Sequence, residues 1–271
     1  MKICIFYYSG AGNTECVAKI IGKVVQNHGH EVYCKRITKE SLCEIKQNYD
    51  ILGIGYPIHF RKAPSLVSEF ITKQNGKGKN LFTFCTKGLY SGNASREIQL
   101  IAKQNLFTVS GNIELYMPGS DALALIAKKK SLTERLLKSI HSRKIRTKIE
   151  EFLSSIYQLP NLDGNRSKWY FPLDNGIVKP LEHYFTNNYQ VFIERFSVIH
   201  ELCDLCQFCV KNCPNMNIKL TDSNITFGSH CSFCLRCIHR CPHGAIQIKS
   251  KTEDKVKYHP TVTSELTIRY G

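Results

Sequence analysis

From Lys2 to Tyr116, apolar runs of strand length alternate with stretches whose apolar positions recur at helical spacing. Lys2 to Tyr8 is a short apolar run that ends at Ser9, and Asn13 to Asn27 carries Val17, Ile20, Ile21 and Val24 three or four residues apart. Strand-like runs follow at Glu31 to Ile37, Ile51 to Tyr56, Leu81 to Cys85 and Phe107 to Tyr116, separated by helix-like Ser65 to Gln74 and Ala94 to Gln104. The order is βαβαβ. It predicts a doubly wound parallel sheet with helices on both faces, and ligand sites beyond the carboxyl ends of the strands near the topological switch point.

Further along, Leu132, Leu136, Leu137, Ile140, Ile145, Ile149, Phe152 and Leu153 supply an apolar face, which predicts an amphipathic helix closing this first domain. Charge is concentrated there. Residues 128 to 148 contain nine Lys or Arg against one Glu, more than half of the net +15 of the chain. A solvated helix face is favoured over a dedicated docking surface, and the two roles are compatible. The first domain is expected over 1–157. Residues 158–195 hold Trp169, Tyr170, Phe171, Tyr184 and Phe185 among prolines and glycines, and are read as an aromatic connector, packed or plain.

Beyond the connector, eight cysteines change the picture. Cys203, Cys206, Cys209 and Cys213 read C-x2-C-x2-C-x3-C-P, and Cys231, Cys234, Cys237 and Cys241 repeat that pattern 28 residues later. This is [4Fe-4S] spacing. Three close thiolates wrap three corners of a cubane while the fourth serves the other cluster, so the sets cross: Cys203, Cys206, Cys209 and Cys241 for one cluster, Cys231, Cys234, Cys237 and Cys213 for the second. Zinc sites use two separated pairs, and structural disulfides need an oxidising compartment; neither calls for the third cysteine of C-x2-C-x2-C. Each half is predicted to be a cysteine loop followed by a short strand, the halves joined by a hairpin at Thr221 to Phe227. Residues 196–250 resemble a bacterial-type two-cluster ferredoxin, a small α+β domain, and 251–271 form a tail without a motif.

Three loops carry the candidate chemistry of the first domain. Ser9-Gly10-Ala11-Gly12-Asn13-Thr14 joins the first strand to the first helix; it is too short for a P-loop, lacks its lysine and is not a full G-x-G-x-x-G. Small and hydroxyl residues at a helix N-terminus can surround a terminal phosphate, although such turns also serve simply as caps. Pro57-Ile58-His59-Phe60 and Thr86-Lys87-Gly88-Leu89-Tyr90-Ser91-Gly92 follow two later strands and face the same edge. Together the three resemble the phosphate loop and the two isoalloxazine loops of flavodoxins. That resemblance implies FMN, with Phe60, His59 or Tyr90 covering the ring, since the single tryptophan is Trp169 and Ala11 stands where a hydroxyl residue is usual.

Taken together, the order of parts resembles the ferredoxin-flavodoxin fusion family. The resemblance implies a carrier passing electrons between two [4Fe-4S] clusters and FMN, and so between one- and two-electron couples. A flavin reductase acting on its own small substrate is the alternative; no catalytic base is named, and no nicotinamide fingerprint is seen. A redox sensor binding nucleic acid through the basic stretch lacks a recognisable reader element and is disfavoured. Redox partner proteins with acidic surfaces are the expected partners of a basic chain, and Lys87 is expected to bring positive charge to the flavin. The remaining cysteines, Cys4, Cys16, Cys34, Cys43 and Cys85, read as small hydrophobes, consistent with a reducing cytoplasm. Neither a signal-peptide cleavage site nor an apolar run of membrane-spanning length is expected.

Overall fold

The computed structural model describes residues 1–88, 91–158, 183, 189–249 and 252–270. Five parallel strands, β1 (Lys2–Tyr7), β2 (Glu31–Arg36), β3 (Ile51–Pro57), β4 (Asn80–Lys87) and β5 (Thr108–Tyr116), form one sheet in the order β2-β1-β3-β4-β5. This is the flavodoxin-like order, with its switch point between β1 and β3. Helices α1 (Asn13–Asn27), α2 (Ser65–Thr72) and α3 (Ala94–Gln104) connect the strands, so the expected alternation holds to within a few residues at each end.

Both faces of the sheet are covered, which is why the strands read as nearly unbroken apolar runs. Alternation along β1 divides its side chains. Ile3, Ile5 and Tyr7 join α1 residues Val17, Ile20 and Val24 in one core, while Cys4, Phe6 and Tyr8 join Leu66, Phe70 and Ile98 from α2 and α3 in the other. Each large side chain fully buried in this way contributes about 1.5–3 kcal/mol.

The single closing helix expected on the apolar face from Leu132 to Leu153 is instead two helices, α5 (Leu132–Ser139) and α6 (Ile145–Gln158), preceded by the short α4 (Ser120–Leu125). A hydrogen-bonded clamp explains the break. The Ser142 amide donates to the Tyr116 carbonyl at 2.8 Å and the Tyr116 amide to Ser142 Oγ at 2.9 Å, pinning the chain to the end of β5, and Lys144 adopts a left-handed φ of 52°. Ile149 and Leu153 of α6 are buried, but Leu132 and Leu136 of α5 are exposed. The connector expected over 158–195 lies largely outside the described residues.

Residues 196–249 repeat themselves. Helices Phe208–Asn212 and Arg236–Arg240 are related by the 28-residue shift, as are the strands β7 (Ile218–Thr221) and β9 (Ile246–Ile248). Antiparallel pairs β6–β9, with β6 at Phe196–Val198, and β7–β8, with β8 at Asn224–Phe227, each join one strand of either half. The β7–β8 turn lies at Asp222 and Ser223, both with positive φ, as a type I′ hairpin requires. The tail, read as motif-free, is a packing element: β10 (Pro260–Val262) and β11 (Ile268–Tyr270) form a ribbon whose Val262, Ile268 and Tyr270 lie against the α1 core.

Candidate functional site

The loop Ser9–Thr14 leaves β1 at the switch point and opens α1. Ser9, Ala11 and Thr14 are buried. Among the described residues, the backbone N–H groups of Gly10, Ala11, Gly12, Asn13 and Thr14 donate to no protein acceptor, whereas Cys16 bonds back to Gly12 and Glu15 to Ser9 Oγ at 3.3 Å. Five orphaned donors in a buried loop at the positive end of a 15-residue helix make an anion nest. Two carbonyls of the loop face the second cysteine module. Arg236 Nη1 donates to the Gly10 oxygen at 2.9 Å and Arg240 Nε to the Ala11 oxygen at 3.3 Å.

Electrostatics reinforce the cradle. Arg236 is 4% exposed, and burial together with nearby Arg36 brings its guanidinium down to about 10 while Glu15 works in the opposite direction. Glu15 meets Lys19 at 3.0 Å, Arg36 at 3.1 Å and Arg236 at 3.9 Å. Lys19, Arg36 and Arg236 thus surround one carboxylate at this helix end. Expected side-chain ligands behave differently from the backbone: Asn13 Nδ2 donates to the Pro118 carbonyl at 2.9 Å, its Oδ1 accepts from Tyr258 at 2.6 Å, and Thr14 pairs with Thr86 at 2.8 Å. The backbone N–H groups, then, are the donors of this loop left without a protein partner among the described residues.

Pro57, Ile58, His59 and Phe60 turn sharply after β3. His59 and Lys62 exchange backbone bonds of 2.9 Å around Phe60 and Arg61, both at positive φ, and the Ile58 amide ties the turn to the Thr86 carbonyl at 2.9 Å. Burial lowers His59 to about 4 against a weaker upward pull from Asp121, so the imidazole is neutral at physiological pH, and its Nδ1 is buried without a hydrogen-bond partner. Phe60 points towards the cysteine module, its ring centroid 6.1 Å from that of Phe233.

In the third loop, Lys87 is paired with Glu114 at 2.6 Å, and Glu114 also accepts from Ser95 at 2.6 Å. The positive charge expected at the flavin is therefore compensated by a carboxylate. Gly88 follows, while Leu89 and Tyr90 lie outside the described residues. Links from Thr86 to Thr14 and Ile58 bring the three loops to one edge.

The eight cysteines line two recesses. One has Cys203, Cys206, Cys209 and Cys241 in its walls; the other has Cys213, Cys231, Cys234 and Cys237. Left-handed φ values recur at Leu205 and Gln207 and, 28 residues on, at Phe233 and Leu235. Such residues cost of order 1–3 kcal/mol each, and alternating handedness turns successive N–H groups inward as an anion nest. Amides already reach sulfur: Phe233 N to Cys231 Sγ and Asn217 N to Cys213 Sγ, both at 3.3 Å. Burial pushes the bare thiols of Cys209 and Cys231 up to about 11 and about 12, so bound cations would be what favours their thiolates. Among the described residues no three His, Cys, Asp or Glu converge to hold a single metal ion; in a cubane each thiolate takes a different iron, so its ligands surround a volume rather than a point.

The second tetrad leans directly on the first loop. A Cβ on Gly10 would strike the Cys234 carbonyl, so only glycine allows this approach, and Gly12 has φ 129° with Arg240 and Pro260 against it. Tyr8 and Ser232 hydroxyls meet at 2.5 Å, and the Lys39 amide bonds to Pro214 at 2.7 Å. His239 bonds to the Ser120 carbonyl through Nε2 and accepts from the Tyr258 amide at Nδ1. Sequence reading did not find Arg236, Arg240, Tyr258 or Glu15, because no period or spacing marks a residue whose partner is more than 200 positions away, and Glu15 reads simply as a helix-start acid.

A family model described as a flavodoxin domain matches residues 4–111. No curated protein matches the chain. Similar solved structures include the two-electron reduced flavodoxin of Megasphaera elsdenii, 28% identical over 41% of this chain and 85% of that one with a TM-score of 0.36. Others are oxidised Flavodoxin 1 from Bacillus cereus, 15% identical over 58% and 97% with a TM-score of 0.43, and a flavodoxin from the domain Archaea, 18% identical over 57% and 99% with a TM-score of 0.37. Among the described residues no helix is long and apolar enough to cross a membrane. The family match and the sheet order make the N-terminal part of this chain a flavodoxin-like domain.

Proposed function

We propose that the chain is an electron-transfer protein that holds FMN at the flavodoxin-like edge and two [4Fe-4S] clusters in its cysteine recesses. Contact between Cys234 and Gly10 carries this reading, because it sets one cysteine tetrad against the loop suited to a flavin phosphate. With all three groups bound, clusters exchange single electrons and a flavin one or two, so one- and two-electron couples are joined.

The residues divide the work. Backbone N–H groups from Gly10 to Thr14 hold the phosphate, and Arg36, Arg236 and Arg240 supply the field that favours it. Neutral His59 leaves Nδ1 free to bond a polar ring edge. Phe60 and Phe233 exclude water between the two halves. Cys213, Cys231, Cys234 and Cys237 form the inner ligand set. Cys203, Cys206, Cys209 and Cys241, with Cys206 exposed, form the outer one through which an external carrier communicates.

Anaerobic stopped-flow reduction by a one-electron donor tests this reading. Bleaching of the flavin band after cluster reduction should proceed at a rate independent of protein concentration. A rate proportional to protein concentration would mean that the contact conducts no electrons within one chain.

A further inference from the structure

A broad basic recess lies beside the outer tetrad, with Lys129, Arg240, His243, Lys257 and His259 around Cys241. Its cations come from distant parts of the chain: the segment after α4, the helix that follows the second cysteine loop, and the tail. Lys129 Nζ donates to the Glu253 carbonyl at 3.2 Å and Lys257 Nζ to the Thr252 carbonyl at 3.4 Å, so backbone oxygens position both ammonium groups without neutralising them. Arg240 is likewise held by the Ala11 carbonyl. Among the described residues none of the three has a carboxylate within ion-pair distance. His243 differs, meeting Asp204 at 2.9 Å. Burial and the neighbouring Lys129 hold Lys257 below its usual range, a sign of like charges kept close together.

Leu202, exposed and adjacent to Cys203, and Phe208 line the same recess. An apolar spot over a cysteine tetrad, ringed by unneutralised cations, suits a partner that presents carboxylates around a buried-edge redox centre: attraction orients the encounter, and the apolar contact excludes water over the shortest path. Nucleic acid fits less well, since phosphate tracking wants an extended stripe and stacking wants exposed rings, whereas Glu253 lies in the recess wall and Asp204 at the rim.

We infer that this recess, built from Lys129, Arg240 and Lys257 around Cys241, is the docking surface for an acidic one-electron carrier protein. The inference rests on the outer tetrad holding a cluster.

Isothermal titration calorimetry on the full chain, with its iron, sulfide and FMN content measured beforehand, provides the test. The probe is an acidic plant-type [2Fe-2S] ferredoxin, with basic cytochrome c and a single-stranded oligonucleotide as contrasts. Ferredoxin binding should weaken at least tenfold between 20 and 300 mM salt, as expected for steering by charge. Lys129→Glu combined with Lys257→Glu should weaken it by a further tenfold or more, and the milder Lys129→Gln with Lys257→Gln severalfold. Lys23→Glu with Lys73→Glu changes the net charge equally on other surfaces and should leave affinity within about twofold. Equal losses from both charge-reversed pairs would reduce the effect to net charge and overturn the inference, as would equal binding of cytochrome c. Tighter, Lys129- and Lys257-dependent binding of the oligonucleotide would overturn it in favour of nucleic acid. A chain without clusters would refute the electron-transfer reading whatever the binding, whereas a loaded chain that ignores ferredoxin would refute only the docking surface.

Discussion

Arg236 Nη1 donates to the Gly10 carbonyl at 2.9 Å, so a side chain from the second cysteine loop fixes the orientation of a peptide in the loop after β1. That bond engages the Gly10 carbonyl, and the neighbouring N–H groups are left without a protein acceptor among the described residues. Arg236→Met should therefore weaken FMN binding by roughly tenfold or more while leaving riboflavin, which lacks the phosphate, nearly unaffected. Fluorescence-quenching titrations with both ligands check this, and equal losses for the two would show a general loosening instead. Unfolding should become easier by about 2 kcal/mol, because a buried charge-assisted bond is lost while Lys19 and Arg36 still neutralise Glu15.

Crossed ligand sets make a prediction about pairs of substitutions. Cys203→Ser with Cys241→Ser removes two ligands lining one recess, so about four irons should remain. Cys203→Ser with Cys213→Ser affects both recesses and should leave almost none. The reverse outcome would mean that each cysteine burst holds its own cluster.

Lys87 and Glu114 form a largely buried pair, with side-chain exposures of 12% and 11%. Lys87→Met strands the carboxylate and should cost about 3 kcal/mol in urea unfolding at pH 7, whereas adding Glu114→Gln should recover much of it. Burial alone would raise the Glu114 carboxyl, but Lys87 and Ser95 outweigh it and hold the group below its ordinary 4.5. Its contribution is thus complete above that value and fades as pH falls below it. A single variant as stable as the parent at pH 7 would remove this pair from the account.

His59 works in a higher window. Its folded value, about 4, lies below the ordinary 6.5 because the imidazole is buried, with Asp121 as the opposing charge. Unfolded chains take up that proton first, so stability falls as pH drops from about 6.5 towards 4. Urea midpoints at intervals across that range should fall more steeply for the parent than for His59→Phe; parallel slopes would show that His59 does not carry the effect.

Much of this arrangement was legible in the sequence where the signal is local. Val17, Ile20, Ile21 and Val24 gave α1 with its boundaries, and the 28-residue echo from Cys203 to Cys231 anticipated the matching strands β7 and β9, but not the short helices and left-handed positions that repeat with them. The break between α5 and α6 was not legible, since the apolar period continues through Ile140 and the clamp between Ser142 and Tyr116 is tertiary. Nor was the role of Lys87: a lysine in a loop looks available until Glu114, on the neighbouring strand, is brought beside it. Tyr258 and the tail ribbon carry no spacing at all. Their significance arises from packing on Asn13 and α1.

Iron, acid-labile sulfide and FMN, quantified on one anaerobically purified sample with EPR after dithionite reduction, test the central claim most directly. About eight irons, eight sulfides and one FMN per chain, with two magnetically coupled reduced clusters, are predicted. A chain that carries its clusters but neither retains FMN nor binds it on addition would contradict the account, leaving the loop Ser9–Thr14 as a platform for the cysteine module alone.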